Sequence, residues 1–248
     1  KYHFEHSAIN SIGITGSNGK TILKEWLYQC LSNEFVTVKS PKSFNSQIGL
    51  PLSLFQIEKK HDLGIFEVGI SKPDEMDNQE NIFHPKIGLL THIGSAHSAN
   101  FSSEEELINE KLKLFKNSEI IFYNADNLLT DKIINELYSS KKLISCGLEI
   151  NNDIHIISNV NDRTQDIQIK YFDEIITLPI FQRDEATLTN VLALIGILKE
   201  LKISNSDIKE KIDALKAIEM RLESIEGIRN NLIINDSYNL DLDSLKIA

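Results

Sequence analysis

The sequence predicts an α/β protein with a mostly parallel, doubly wound sheet and a small antiparallel β subsheet. Two observations carry this prediction. From Ile9 to Cys146, short apolar runs alternate with amphipathic stretches, which is the pattern of βα units that build a parallel sheet. Between Asp153 and Ile180 the hydrophobic period changes to two, which is typical of antiparallel strands with one exposed face.

The elements follow from this pattern in order. A first strand is predicted at 12–14, and a first helix at 22–31, where apolar residues recur at helical spacing. Ser204 or Ser206 is expected to cap a helix that extends to about residue 217. The other predicted strands are 64–68, 87–91, 120–123, 143–146, 222–225 and 232–234, and the other predicted helices are 103–116, 128–138, 185–201 and 241–248. Because the last predicted helix runs to the end of the chain, we expect a piece of a longer protein.

Composition limits the classes of function. With 41% apolar and 25% charged residues, the 248-residue chain is expected to be folded throughout. Its net charge of −10, without a basic run, argues against nucleic acid as a partner. No apolar stretch is long enough to span a membrane and no signal peptide is evident, so a cytoplasmic location is expected. Cys30 and Cys146 are expected to be buried, reduced thiols.

A phosphate-binding loop is predicted at 15–21, Thr-Gly-Ser-Asn-Gly-Lys-Thr, between the first strand and the first helix. Backbone N–H groups and a helix N-terminus can converge there on a polyphosphate, with Lys20 on the β- and γ-phosphates and the Thr21 hydroxyl on Mg²⁺. The strict Walker A spacing requires a glycine where Ile14 stands, so this loop is shorter than the common form. The alternative is a plain glycine-rich turn. The cofactor-binding residues predicted in this P-loop are Gly16, Ser17, Asn18, Gly19, Lys20 and Thr21.

The shortened loop resembles that of the Mur ligases and folylpolyglutamate synthetases, which join an amino group to a carboxylate through an acyl phosphate. Other segments resemble the Mur ligase pattern in the same order: 43–51 (Asn-x-x-x-Gly-x-Pro), 66–69 (the strand with a metal-binding Glu), 91–97 (ending in Ala-His), 111–115, 220–223 and 235–239. The resemblance extends from about Ser11 to Ala248. It implies that 1–235 is the central ATP-binding domain and that 236–248 begin the C-terminal ligase domain.

The resemblance also implies a magnesium site. Thr21 and Glu67 would hold one Mg²⁺, and His97 with a carbamylated Lys111 would hold a second. The predicted catalytic residues are Lys20, Glu67, His97 and Lys111. Carbamylation converts an ammonium into an anion, which can bind a cation that free lysine would repel. The alternatives without a metal role are that Glu67 is a surface glutamate, His97 a loop histidine and Lys111 a solvated lysine.

On the nucleotide side, the resemblance implies ATP contacts from Asn45, Asn190, Arg221, Asp236, Tyr238 and Asn239. Several positions depart from the family. The family's Gly-x-His-Asn-x-x-Asn stretch would align on 184–190, where only the last Asn is kept. Met220 stands in place of a glycine, Lys113 in place of a common Glu and His92 in place of a common Asn. The nucleobase side therefore departs most from the family pattern.

Within the family, Ser-Tyr-Asn after Asp236 and the Ala-His pair resemble members that add D-alanyl-D-alanine to UDP-N-acetylmuramoyl-tripeptide. Segments 39–49 and 184–190 resemble the Bacteroidetes version, which is fused to an alanine racemase. The isolated domain is expected to bind nucleotide without ligating. Two alternatives stay open: a folylpolyglutamate-type ligase, and a P-loop regulatory NTPase. The second needs a strand-borne Asp, whereas the nearest strand-borne acid is Glu67.

Overall fold

The computed structural model describes residues 1–7, 9–94, 100–158, 162, 166–180, 184–221 and 223–238. Eight α-helices and eleven strands are found in these ranges. The helices are α1 Tyr2–Glu5, α2 Lys20–Leu31, α3 Gly49–Leu54, α4 Glu75–Glu80, α5 Glu104–Leu112, α6 Leu128–Tyr138, α7 Glu185–Glu200 and α8 Asn205–Asp213. The strands are β1 Asn10–Thr15, β2 Thr37–Lys39, β3 Leu63–Glu67, β4 Ile87–Leu90, β5 Ile120–Asn124, β6 Lys142–Cys146, β7 Ile154–Ile156, β8 Ile167–Tyr171, β9 Glu174–Leu178, β10 Glu223–Glu226 and β11 Leu232–Asn235.

Nine strands form one sheet in the order β2-β3-β1-β4-β5-β6-β7-β8-β9. All pairings from β2 to β7 are parallel, and β8 and β9 are added antiparallel. The predicted α/β class with a mostly parallel sheet is confirmed. Because β1 lies between β3 and β4, the chain leaves the centre of the sheet in both directions.

The sheet is covered on both faces, as a doubly wound arrangement requires. Successive side chains of a strand point to opposite faces, so Ile65 joins the core that α2, α7 and α8 cover, while Phe66 joins the core beneath α3, α5 and α6. Cys30 and Cys146 are buried and free, which confirms the prediction of two thiols. No helix in the described ranges is long and apolar enough to cross a membrane.

The predicted antiparallel subsheet is confirmed, because β7, β8 and β9 pair antiparallel in the stretch of period two. It is joined to the main sheet through the pairing of β7 with β6. A further two-stranded antiparallel sheet is made by β10 and β11. The helix capped by Ser204 ends at Asp213 rather than near residue 217. The helix predicted at 241–248 lies outside the described residues.

Candidate active site

The loop between β1 and α2 has the backbone of a phosphate-binding turn. Gly16 has a φ of 142° and Gly19 a φ of 86°, values that glycine adopts far more readily than other residues. Gly19 is also the N-cap of α2, and its carbonyl accepts a helical hydrogen bond from the Leu23 amide. The first N–H groups of a helix have no partner within it, so the start of α2 presents donors to an anion.

The residues that follow β4 hold this loop in place. The His92 carbonyl accepts hydrogen bonds from the amides of Ser17 (2.8 Å) and Asn18 (3.4 Å). The Thr91 hydroxyl donates to the Asn18 carbonyl at 2.6 Å. A Cβ atom on Gly16 would lie only 2.0 Å from the Thr91 hydroxyl oxygen. The loop is therefore fixed on one side. The backbone amides of Ser17 and Asn18 already form hydrogen bonds within the protein.

Two lysine ammonium groups converge on one carbonyl of the loop. Lys20 donates to the carbonyls of Gly16 and Ser17, both at 2.8 Å, and Lys111 from α5 donates to the Gly16 carbonyl at 2.9 Å. Lys111 is only 1% exposed. Burial, and then the nearby charge of Lys20, lower the pKa of Lys111 well below its ordinary value. The two predicted catalytic lysines thus lie side by side, and Lys111 is not a solvated surface residue.

Glu67 lies beside the loop because β3 pairs with β1 and places Glu67 opposite Ile14. Its carboxylate accepts hydrogen bonds from the Thr21 hydroxyl at 2.9 Å and from the Asn45 side-chain amide at 2.7 Å. The side chain is almost completely buried, so it is not a surface glutamate. A carboxylate and a hydroxyl are hard oxygen ligands of the kind that Mg²⁺ prefers.

The predicted metal ligands are described only in part. His97 lies outside the described residues. Within the described ranges, no three His, Cys, Asp or Glu side chains form a group that could hold a metal by themselves. Magnesium, however, is usually bound by one or two carboxylates together with nucleotide phosphates rather than by an all-protein cage. The pair of Thr21 and Glu67 fits an ion of that kind.

Sequence reasoning missed a third lysine. Lys24 is completely buried on α2, where its ammonium donates to the Lys42 carbonyl. It also forms ion pairs with Glu25 at 3.2 Å and with Glu67 at 3.9 Å. Burial lowers the pKa of Lys24, and the two carboxylates act in the opposite direction. The available signal was its spacing, since Lys24 follows Lys20 by four residues and therefore lies on the same helix face.

A cavity of about 440 Å³ opens beside the loop. Asn190, predicted on the nucleobase side, lies against the loop, since a Cβ atom on Gly19 would come 2.8 Å from its side-chain oxygen. The side-chain amide nitrogen of Asn18 is buried and has no hydrogen-bond partner in the part of the chain that the structure describes. Cavities with a few polar groups in their walls are typical of small-molecule sites. The cavity is lined by Asn18, Gly19, His92, Asn124, Asp126, Asn127, Glu185, Ala186, Thr189 and Asn190.

The predicted carboxyl-terminal residues form a second group. The Arg221 guanidinium lies over the ring of Tyr238 at 4.1 Å, a cation–π contact. Met220 has a φ of 59°, a left-handed conformation that explains why a glycine suits this position. Asp236 directly follows β11, as predicted, whereas Asn239 lies outside the described residues.

Curated proteins similar to this chain include two ligases of the same name. The UDP-N-acetylmuramoyl-tripeptide--D-alanyl-D-alanine ligase of Borreliella burgdorferi is 32% identical over 245 residues, which cover 97% of this chain and 52% of the relative. The protein of the same name from Bacillus subtilis is 27% identical over 252 residues, which cover 100% of this chain and 54% of the relative. The chain thus spans about half the length of the curated relatives it matches.

Solved structures share the fold. A crystal structure of MurF from Acinetobacter baumannii matches with a TM-score of 0.86 at 23% identity, covering 99% of this chain and 55% of that one. MurF ligase from Thermotoga maritima, solved in complex with ADP, matches with a TM-score of 0.83 at 24% identity, covering 99% and 57%. The family model described as the Mur ligase middle domain matches residues 14–198, about three quarters of the chain. This chain therefore belongs to the Mur ligase family and contains its middle domain.

Proposed function

We propose that this chain is the ATP-binding central domain of a ligase that adds D-alanyl-D-alanine to UDP-N-acetylmuramoyl-tripeptide. The observation that carries the proposal is the meeting of Lys20, Thr21 and Glu67 at one end of the central strands. Relatives across the whole chain carry this activity in their names, and they are about twice as long. Ligation would therefore be a property of the whole protein, to which this chain contributes the nucleotide site.

The phosphate contacts would come from the first turn of α2 and from Lys20. Backbone N–H groups at a helix N-terminus carry partial positive charge and bind phosphate oxygens. Lys20, which donates to the Gly16 and Ser17 carbonyls, would exchange these acceptors for the charged oxygens of the β- and γ-phosphates. The cavity beside Asn190 would receive the nucleobase. Arg221, Asp236, Tyr238 and Asn239 would complete the nucleotide contacts.

Thr21 and Glu67 would hold the magnesium ion. ATP supplies the phosphoryl group that activates the substrate carboxylate as an acyl phosphate, and Mg²⁺ offsets the charge of the phosphates. Asn45 donates to Oε1 of Glu67, and Thr21 donates to Oε2. Both carboxylate oxygens are therefore oriented by the protein, and Oε2 lies next to the Thr21 hydroxyl, the other proposed magnesium ligand. Fixing these groups before the nucleotide arrives lowers the cost of reorganisation.

We further propose that Lys111 is carbamylated and that, with His97, it holds a second Mg²⁺. The amine lone pair would attack carbon dioxide and form an N–C bond, while one C=O π bond would break and its electron pair would move to the oxygen. One N–H proton would be released to water. This reaction needs the neutral amine, which the burial of Lys111 favours. The product is an anion, so it would replace the repulsion between Lys111 and Lys20 by attraction.

The position of this domain in the whole protein is also proposed. Strand β11 ends at Asn235, which supports a central domain at 1–235 and the start of a C-terminal ligase domain at 236–248. The resemblance of segments 39–49 and 184–190 supports a Bacteroidetes enzyme fused to an alanine racemase. Sequencing upstream and downstream of this chain in its gene would test both statements.

Thermal unfolding against Mg-ATP tests the nucleotide site. Saturation at about 100 times Kd adds about 2.7 kcal/mol, which raises Tm by roughly 5–10 °C for a chain of this size. We expect this shift in the parent protein and its loss in Lys20→Ala. Lys86→Ala is the matched control, because Lys86 is an exposed lysine that contacts Asn10 at the amino end of β1. No shift in the parent protein, or an equal shift in Lys20→Ala, would contradict the proposed site.

The substrate is tested with the full-length enzyme. Phosphate release from ATP should require both UDP-N-acetylmuramoyl-tripeptide and D-alanyl-D-alanine, whereas release with a folate and glutamate would instead support the folylpolyglutamate-type alternative. Release without any acceptor would support a regulatory NTPase. Lys111→Ala should abolish ligation while nucleotide binding is largely retained, because the carbamate is assigned to the second ion. Near-normal turnover in that variant would contradict its metal role.

A further inference from the structure

We propose that Lys24 is a positioning residue for the magnesium carboxylate. It fastens segment 42–45 to α2, so that Asn45 can hold Glu67 in the orientation that binds the ion. The inference rests on the proposed function, in which Glu67 is a magnesium ligand. Lys24 itself belongs to neither the phosphate loop nor the proposed metal ligands.

The surroundings of Lys24 join three parts of the chain. Its ammonium, carried on α2, donates to the carbonyl of Lys42, which follows β2. Glu67 Oε2, at the end of β3, lies 3.9 Å from the same nitrogen. The side chain is 0% exposed, and an ammonium is stable in such a place only where its charge is paired and its N–H groups find acceptors. The position of Lys24 is thus defined by these contacts rather than by solvent.

The contact with Lys42 fixes an unusual piece of backbone. Lys42 has a φ of 48°, which is uncommon for a residue with a side chain and persists where surrounding contacts hold it. Three residues later, the Asn45 amide donates to Glu67 Oε1 at 2.7 Å. If the Lys42 carbonyl loses its donor, the turn loses a contact that stabilises it. The Asn45 side-chain amide is then no longer held in the orientation that lets it donate to Glu67. Lys24 therefore acts on Glu67 through the backbone as well as through its charge.

The same segment meets α2 at a second point. The Ser43 hydroxyl lies 3.2 Å from the Thr21 hydroxyl, which itself donates to Glu67 Oε2. Thr21 and Lys24 are three residues apart and lie on one face of the helix. Two neighbouring positions of α2 thus hold the segment, and both also contact the metal carboxylate.

Side chains of alternating charge lie between the buried Lys24 ammonium and the protein surface. Beyond Lys24 come Glu25, at 3.2 Å, and then Lys39, which forms an ion pair with Glu25 and lies 4.1 Å from the centre of the Tyr28 ring. Lys39 is partly exposed and, among the residues that the structure describes, forms its ion pair with Glu25 rather than with Glu67, so its charge can be removed while Lys24 keeps its own contacts. Lys39→Met is therefore a matched control for Lys24→Met.

Removal of the Lys24 charge and loss of its positioning role predict opposite changes in magnesium affinity. Lys24 and Mg²⁺ are both cations near Glu67, so removal of the lysine charge alone would tighten magnesium binding. Loss of orientation would weaken it, because residues that orient a metal ligand are typically worth about 10- to 100-fold in metal affinity. The sign of the change in Lys24→Met thus separates a positioning role from a purely electrostatic one.

The experiment is calorimetric titration of the 248-residue chain with ATP, once with Mg²⁺ and once with EDTA, for the parent protein and its variants. In Lys24→Met we expect the affinity for Mg-ATP to fall about 10- to 100-fold, with a similar loss in Mn²⁺ binding followed by electron paramagnetic resonance. The affinity for ATP in EDTA should change less than about twofold. Lys39→Met should match the parent protein in all three titrations.

Glu67→Gln separates the two possible failures. If Glu67→Gln weakens Mg-ATP binding and Lys24→Met leaves it equal or tighter, the positioning role is overturned and the metal site stands. If Glu67→Gln leaves the magnesium dependence unchanged, the metal role of Glu67 falls and this inference falls with it. An equal loss of affinity in Mg²⁺ and in EDTA for Lys24→Met would show a structural role only, which also overturns the inference.

A double-mutant cycle keeps the test valid if Lys24→Met does not fold. Lys24→Gln keeps a polar side chain in the buried place, but this side chain is one bond shorter than that of lysine and so weakens the contact with the Lys42 carbonyl. It is combined with Asn45→Ala. If Lys24 acts through Asn45, the two losses of Mg-ATP affinity are not additive, because the second change finds Glu67 already released. Additive losses would overturn the inference.

Discussion

Replacement of Gly16 by alanine is expected to destabilise the protein and to disrupt the phosphate loop. The added Cβ would lie 2.0 Å from the Thr91 hydroxyl oxygen and 3.1 Å from the Thr91 Cβ. A backbone with a φ of 142° costs a residue with a side chain about 1–3 kcal/mol. The collision adds about 1–3 kcal/mol, which is the usual cost of overpacking. We therefore expect the free energy of unfolding to fall by at least about 2 kcal/mol.

Urea denaturation of the parent protein, Gly16→Ala and Gly227→Ala measures this loss. Gly227 has a φ of −95°, and an added Cβ would come no closer than 3.2 Å to the Asn231 carbonyl oxygen. That control should cost less than about 1 kcal/mol. In thermal unfolding, Tm of Gly16→Ala should fall by at least about 4 °C. An unfolding free energy equal to that of the parent protein, with unchanged affinity for Mg-ATP, would contradict the geometry derived for the loop.

Three further predictions follow from the site and the core. Thr91→Val should lower the free energy of unfolding in urea by about 1–3 kcal/mol, because the Asn18 carbonyl loses its hydroxyl donor; an unchanged value would contradict this. Burial raises the pKa of Cys30 from 9.0 to about 12, so the unfolded thiol ionises first and the free energy of unfolding should fall between pH 9 and 12. Cys30→Ala should remove that pH dependence, and a loss that persists in the variant would point to other groups. Asn190→Ala should weaken ATP binding about 2- to 10-fold in calorimetry but leave inorganic triphosphate binding unchanged, and an equal loss for both would move Asn190 to the phosphate side.

The long elements of the fold could be predicted because their hydrophobic period is local. Strand β1 and helix α2 both appear where the pattern indicates them. Short elements escaped prediction. Helix α3 has six residues, begins at a glycine and contains Pro51, so its sequence contradicts helix propensity, although proline is tolerated in a first turn. Strand β2 has only three residues and is defined by its pairing with β3 rather than by a period of its own.

The part of the candidate site that lies within one continuous segment could be predicted from the sequence. The loop around Lys20 has a recognisable spacing, and its strand and helix flanks are local features. The burial of Lys24 was not predictable, because a helical lysine is normally solvated, and two of the groups that make its buried position favourable, the Lys42 carbonyl and Glu67, are distant in the sequence. The engagement of the Ser17 amide by the His92 carbonyl likewise depends on how β4 pairs with β1.

The strand order explains how residues from distant parts of the chain reach one loop. In open α/β sheets, ligands bind outside the carboxyl ends of the strands where the order of connection reverses, and β1 with β4 forms such a point. Glu67 comes from the β3 side of β1, whereas Thr91 and Lys111 come from the β4 side. The β3 side thus supplies the carboxylate proposed to bind magnesium. The β4 side supplies a hydroxyl that holds the loop and a buried lysine. Nucleotide binding should therefore stabilise both halves of the sheet together, because a ligand that binds only the folded site stabilises every element that builds it.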